Sequence, residues 1–339
     1  METLWSRLRQ DRIGTISLGI VLAYLALILA AALGLVSAGW NREVGLPYAT
    51  PSLLGVQPSL EAALPAGAAR PRGTSPDLSA VDPLAPKYAE WARRTAELEV
   101  SEPERSATLP WGGDRWGRDV LDKAVKGSQV SIAVGVAAAL FATLIGTLLG
   151  AFAGFYGGKT NDFLEWLYNV FTSVPGILLV FALAAVLRSG GLSKVFASGI
   201  WMVVIILAVT GWTGMYRLVR AEYMKHRSRE YVLAAQAIGA SAGSRMFVHI
   251  LPNVGHVILV QLSLLVVAFI KVEVILSFLG LGVPVDMVSW GTMLSEAQTE
   301  LVIGKWWQLA AATVFMAVFL TAFSMLTDSL RDALDPKLR

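Results

Sequence analysis

Six long apolar runs, separated by polar connections of very unequal length, dominate the pattern of this chain. They cover residues 13–38, 131–153, 163–187, 196–215, 257–279 and 306–326. A run of about 18 or more apolar residues matches the thickness of a bilayer's hydrocarbon core. Hydrocarbon offers the backbone no hydrogen-bond partners, so runs of this length predict helices. Pro175, inside the third run, lacks an N–H and has a fixed φ, which predicts a kink there. The first run follows Arg7, Arg9 and Arg12 in the manner of a signal sequence. A signal's apolar core holds only roughly 7–15 residues, so residues 1–38 are read as a cytoplasmic tail and a retained first span.

Residues 39–127 have a different character, with ten of the chain's 14 prolines and charges of both signs. Proline density predicts extended or irregular chain, with one short helix around 87–99. Residues 128–339 then form a five-helix core, and their longest polar connection is 216–256. It carries Arg217, Arg220, Lys225, Arg227, Arg229 and Arg245, against Arg188 and Lys194 in 188–195 and only Lys305 in 282–305. Short loops retain basic residues on the cytoplasmic side. Both termini are therefore expected in the cytoplasm, in agreement with Arg331, Lys337 and Arg339, and residues 39–127 outside it. The eleven basic residues of that outer segment do not oppose this, because long translocated segments largely escape the rule. The fold class is all-α: a polytopic membrane protein of six helices with a mostly irregular extracytoplasmic insertion.

Composition supports the bilayer as solvent: 55% of residues are hydrophobic, 16% are charged and mean hydropathy is +0.58. With no cysteine, disulfides and thiolate metal sites are excluded, and His226, His249 and His256 lack metal-ligand spacing. No basic tract interleaved with aromatics suggests nucleic acid. No catalytic, cofactor-binding or metal-binding set emerges. The stretch GFYGGKT, residues 154–160, resembles a phosphate loop, but Ala153 stands where a P-loop needs glycine. A tight turn with Gly157 and Gly158 at positive φ accounts for it.

Lys271 and Glu273 fall inside the fifth run, where a charge costs roughly 2.5–3.5 kcal/mol on insertion scales. Two residues apart on a helix, they point about 200° apart and cannot line one narrow stripe. Glu273 is a candidate translocation-path residue, with structural pairing to a neighbouring helix as the other reading.

The segment REYVLAAQAIGASAGSRMFVHILPN, residues 229–253, carries the most information. Tyr231, Ala235 and Ile238 recur at i, i+4 and i+7, predicting a short helix with one apolar face, and Gly239 lets the chain turn. Ser241 is a plausible N-cap for a second short helix over 242–248, which Pro252 ends before the fifth span. Small residues on two short helices suit docking into a partner's groove.

This segment resembles the coupling loop of importer-type ABC permeases, with Ala234, Ala235, Gly239, Leu251 and Pro252 in register. Leu233 replaces the family's glutamate and His249 its hydrophobic residue, both as in the peptide-transport branch. Residues 112–135, 273–294 and the C-terminal DSLRDALDPKLR are similar to the second permease subunit of dipeptide, oligopeptide and nickel importers. The resemblance implies a type I importer permease of the bacterial inner membrane. It also implies a second homologous permease, two ATP-binding subunits that hydrolyse ATP in its place, a solute-binding protein outside, and a peptide-like substrate. Tyr231, Ala234, Ala235, Gly239, His249, Leu251 and Pro252 would then form the coupling site. Nickel chelates or another small solute of the same family, and an ATP-independent channel or secondary transporter, are the alternatives.

Overall fold

The computed structural model describes residues 11–55, 82–97, 105–189, 199–284 and 286–334. Arg7, Arg9, Lys194, Lys337 and Arg339, used above for orientation, lie outside the described residues, as do residues 56–81 of the proline-rich segment. The elements begin with α1 (Arg12–Ala32), β1 (Gly45–Pro51), α2 (Ala85–Glu97), β2 (Ser106–Leu109) and α3 (Val120–Tyr156). They continue with α4 (Gly158–Thr172), α5 (Gly176–Ser189), α6 (Ile200–Gly211), α7 (Thr213–His226) and α8 (Glu230–Ala237). The last three are α9 (Ala242–Phe278), α10 (Trp290–Val302) and α11 (Trp307–Leu334). The chain divides into two units, one of residues 1–41 and 120–339, the other of residues 42–119.

The described residues of the smaller unit include regular structure that its prolines do not suggest. Strands β1 and β2 pair in parallel, Gly45 with Ser106 and Pro51 with Leu109, with an irregularity between Gly45 and Thr50. A turn follows, held by buried Asp114, whose Oδ1 accepts from the Trp116 and Arg118 amides at 2.8 and 2.9 Å. An aspartate that bonds backbone two residues on stabilises a turn without a regular ladder. The short helix expected at 87–99 is α2, and Asp82 anchors its start by accepting from the Leu84 amide at 2.9 Å.

In the larger unit α3 is the central post. At 37 residues and about 1.5 Å of rise each, it is longer than the hydrocarbon core is thick. Ala138, Ala142, Gly146, Gly150 and Gly154 recur every fourth residue and are all buried. That spacing makes one small-residue stripe, which lets another backbone approach closely. The approach is direct: a Cβ on Gly150 would lie 2.7 Å from the Tyr216 carbonyl oxygen, and one on Gly154 2.6 Å from that of Arg220, both on α7. Helix α11 closes the bundle against α1, where Tyr24 donates to the Phe315 carbonyl at 2.9 Å and Ser329 donates to the Asp11 carboxylate at 2.5 Å.

Among the described residues four helices are individually long and apolar enough to cross a membrane: α1, α3, α9 and α11. Two more spans arise if each bent pair counts as one, and these six correspond to the six apolar runs. The bends correct the sequence reading in degree. At Pro175 the helix breaks outright, and α4 meets α5 at 83°. The fourth run continues through a 42° bend between α6 and α7. Helix α10 lies inside the 282–305 connection, where no helix was expected.

Candidate functional site

The polar 216–256 connection folds as a braced hairpin of α7, α8 and the start of α9. Arg229, in extended conformation, is the N-cap position of α8. The helix ends in a Schellman arrangement: the Gly239 amide donates to the Gln236 carbonyl at 3.0 Å and the Ala240 amide to that of Ala235 at 2.9 Å. Gly239 has φ +89°, a left-handed conformation that favours glycine, and so it turns the chain as expected. Ser241 then caps α9 by accepting from the Ser244 amide at 3.2 Å.

Three cross-links hold the hairpin. The Tyr231 hydroxyl and His226 Nδ1 are 2.8 Å apart, joining the start of α8 to the end of α7. Tyr223 of α7 donates to the Met246 carbonyl at 3.1 Å. Arg245 donates to Gln236 Oε1 at 2.5 Å while its guanidinium lies 5.3 Å from the centre of the Phe155 ring. Burial pushes the Tyr231 phenol above its ordinary range, so the hydroxyl stays protonated at neutral pH.

Two expectations change. The face of α8 turned into the protein is formed by Val232 and Ala235, while Ile238 is 87% exposed and Leu233 52%. Of the predicted stripe only Ala235 is buried, and the solvated surface, with Leu233 and Ile238, is itself apolar. Pro252 does not end a helix either: α9 runs without interruption from Ala242 to Phe278, with π-helical turns over Arg245–Ile250. Proline cannot donate to the helical ladder, and the wider turns immediately before it accommodate that loss. Asn253 adds a side-chain donor to the His249 carbonyl at 2.6 Å.

The structure brings Tyr231, Ala234, Ala235, Gly239, His249, Leu251 and Pro252 into this one hairpin. Ala235 is buried, Tyr231, Ala234, Gly239 and Pro252 are exposed, and His249 and Leu251 are half-buried at the root of α9. Glu273 is elsewhere, 21 residues beyond Pro252 and thus about 30 Å along the helix. It is 0% exposed, whereas Lys271 points outward, as their spacing requires. Sequence reasoning missed Lys123, Glu296 and Gln308, which meet although no spacing connects them. Among the described residues no group of three or more histidines, cysteines, aspartates or glutamates could hold a metal ion.

Several candidate spans, a small-residue packing seam and a braced hairpin with an apolar outer surface describe an integral membrane protein. Residues 146–339 match the family described as the binding-protein-dependent transport system inner membrane component, and the chain belongs to that family. The oligopeptide transport system permease protein OppC of Bacillus subtilis (strain 168) is 36% identical over 256 residues, 76% of this chain and 81% of that one. The dipeptide transport system permease protein DppC of the same strain is 37% identical over 234 residues, 69% and 70% of the two chains. OppC of Escherichia coli (strain K12) is 36% identical over 258 residues, 76% and 82%. The inward-facing MetNI methionine ABC transporter aligns at 17% identity and a TM-score of 0.42, covering 58% of this chain and 96% of that one. The chain is accordingly a multi-pass permease subunit of the inner membrane.

Proposed function

We propose that this chain is the second permease subunit of an ATP-driven importer of peptides. With a homologous permease it forms the translocation path, two separate ATP-hydrolysing subunits dock on its cytoplasmic hairpin, and a solute-binding protein delivers peptide from outside. Both termini and residues 216–256 face the cytoplasm, and residues 39–127 lie outside as the segment preceding the 128–339 core. The observation that carries the reading is the α8 hairpin, with Leu233 and Ile238 exposed on an element tied to α7 through Tyr231 and to α9 through Gln236. A surface that is apolar and yet rigidly held suits a groove in a partner and the transmission of force. The peptide assignment draws on the names of the relatives, which favour it over nickel chelates.

Within the hairpin Val232 and Ala235 anchor, Tyr231 ties α8 to α7, and Gly239 sets the turn. His249, Leu251 and Pro252 form the root through which displacement enters α9. Closure of the ATP-hydrolysing pair would rock the spans as rigid bodies and open the path to alternate sides. Gly239→Trp, strained at positive φ and bulky on the docking side, is expected to abolish tri-alanine uptake while membrane insertion persists. Uptake at the normal rate would sink the docking role. Copurification in mild detergent of a Walker-motif protein with the parent chain tests the partner directly, and its reproducible absence would count against an ATP-driven importer.

A further inference from the structure

We infer that Glu273 is a positioning residue for transport: through Ser277 it fixes the turn at 279–284 to the far end of α9. The carboxylate has no exposure to solvent, and its Oε1 accepts from the Ser277 hydroxyl at 2.7 Å. Ser277 Oγ in turn accepts from the Val283 amide at 3.2 Å, so one chain of hydrogen bonds runs from the helix into the loop. Backbone bonds from the Leu279 and Leu281 amides to the Ile275 and Leu276 carbonyls, at 3.1 and 2.8 Å, fold the chain back at the same point.

The fit around this bond leaves no slack. A Cβ on Gly282 would lie 2.1 Å from Ser277 Oγ, and one on Gly291 would lie 2.5 Å from the Val274 carbonyl oxygen. Ser289 caps α10 by accepting from the Thr292 amide at 3.3 Å, and the Trp290 amide donates to Ser131 of α3 at 3.2 Å. The other carboxyl oxygen, Glu273 Oε2, is buried with no hydrogen-bond partner among the described residues. Pro284 and Met287 of the loop pack near Gly199, at the start of α6. Helix α9, the turn that follows it, the start of α10 and Ser131 of α3 thus meet around the Glu273–Ser277 bond.

A junction that needed only packing would be filled more favourably by an apolar residue, because an enclosed carboxylate loses its hydration. What the carboxylate adds is direction: it holds the Ser277 hydroxyl in the one orientation that leaves its lone pair toward Val283. Helix α9 is continuous from the coupling hairpin to this point. Any displacement at its root therefore reaches the loop, provided that the loop is fastened to it.

The parent chain has no cysteine, so single cysteines report without background. Val283→Cys, at a site 6% exposed, and Val219→Cys, buried in α7, are placed in membranes and their maleimide labelling rates compared. Ser277→Ala and Glu273→Ala are expected to raise labelling at position 283 by about tenfold, the scale of losing one buried hydrogen bond. Position 219 should stay protected. Glu273→Gln, which keeps the acceptor for Ser277, should return position 283 to near the parent rate. Protection at 283 that survives Ser277→Ala, exposure of 219 together with 283, or a glutamine variant as open as alanine would each overturn the inference. Tri-alanine uptake by the complete transporter should fall with Ser277→Ala and Glu273→Ala and stay near the parent value with Glu273→Gln, and uptake unchanged by Ser277→Ala overturns the transport role. That arm rests on the peptide reading above. A parent that takes up no tri-alanine would sink that reading, and the labelling arm would still decide whether Glu273 positions the loop.

Discussion

Lys123 Nζ lies 2.7 Å from Glu296 Oε2, joining the first turn of α3 to the middle of α10, with the lysine side chain only 2% exposed. Gln308 of α11 completes the junction: its Oε1 accepts from Lys123 at 3.3 Å and its Nε2 donates to Glu296 at 3.0 Å and to the Met293 carbonyl at 3.1 Å. Breaking a buried pair is expensive chiefly for the charge left behind. Glu296, 30% exposed, can rehydrate, whereas Lys123 cannot. Glu296→Gln should therefore cost about 3 kcal/mol and Lys123→Met clearly less, with the double variant recovering part of the loss. Thermal unfolding in detergent measures all three, and the reverse order of the single variants would refute the account.

The seam between α3 and α7 yields a contrast between glycines. Gly150→Ala places a methyl group against the Tyr216 carbonyl and should destabilise by about 1–3 kcal/mol through overpacking. Gly243→Ala, in the first turn of α9 with nothing within 4 Å of the added atom, should be neutral or stabilising by about 0.5–1 kcal/mol. Equal midpoints for the two variants in thermal denaturation would show that the seam tolerates separation.

Docking and folding separate on α8. Ile238→Glu changes an 87% exposed position and should leave the melting temperature unchanged while abolishing copurification of the ATP-hydrolysing partner. Tyr231→Phe removes the bond to His226 and should lower stability by about 0.5–1.5 kcal/mol, with weaker copurification. Full partner recovery with Ile238→Glu would place the docking surface elsewhere.

In the smaller unit Asp82 accepts from the Tyr88 hydroxyl at 2.5 Å and from the Leu84 amide at 2.9 Å, and these bonds hold its carboxyl below the ordinary range. The native pKa is the lower one. The anchoring of α2 is therefore complete above the ordinary carboxylate value and is lost as pH falls through the native one. Hydrogen-exchange protection of the Leu84 amide, corrected for intrinsic rate, should follow that course, and Asp82→Asn should remove the pH dependence. Protection that rises on acidification would contradict the assignment.

Long-range hydrophobic pattern made the spans legible, because each must satisfy its own backbone within one segment. The turn at Gly239 and the cap at Ser241 were legible for the same local reason. What eluded the sequence was tertiary. Val232 is buried and Ile238 exposed because ties to α7 at Tyr231 and to α9 at Gln236 set the rotation of α8, which periodicity within α8 cannot reveal. Pro252 reads as a helix stop only if the turns before it are α-helical, and here they widen. Lys123, Glu296 and Gln308 are far apart in the chain, and only the packing of α3, α10 and α11 joins them. Glu273 was visible as an anomaly, but its full burial was not.

The break at Pro175 has a consequence for what this chain can be by itself. With 15 and 14 residues, α4 and α5 each extend only about 20 Å, short of the roughly 30 Å hydrocarbon core. Ser173, Val174 and Pro175 between them are exposed. Lipid does not tolerate open backbone, so at membrane depth such a break must meet protein or water. A cysteine at Val174 should therefore react with water-soluble maleimide or cross-link to a neighbouring subunit, and complete inertness to both would refute this. At membrane depth the joint between α4 and α5 is therefore complete only where water or a second protein surface takes up its backbone groups.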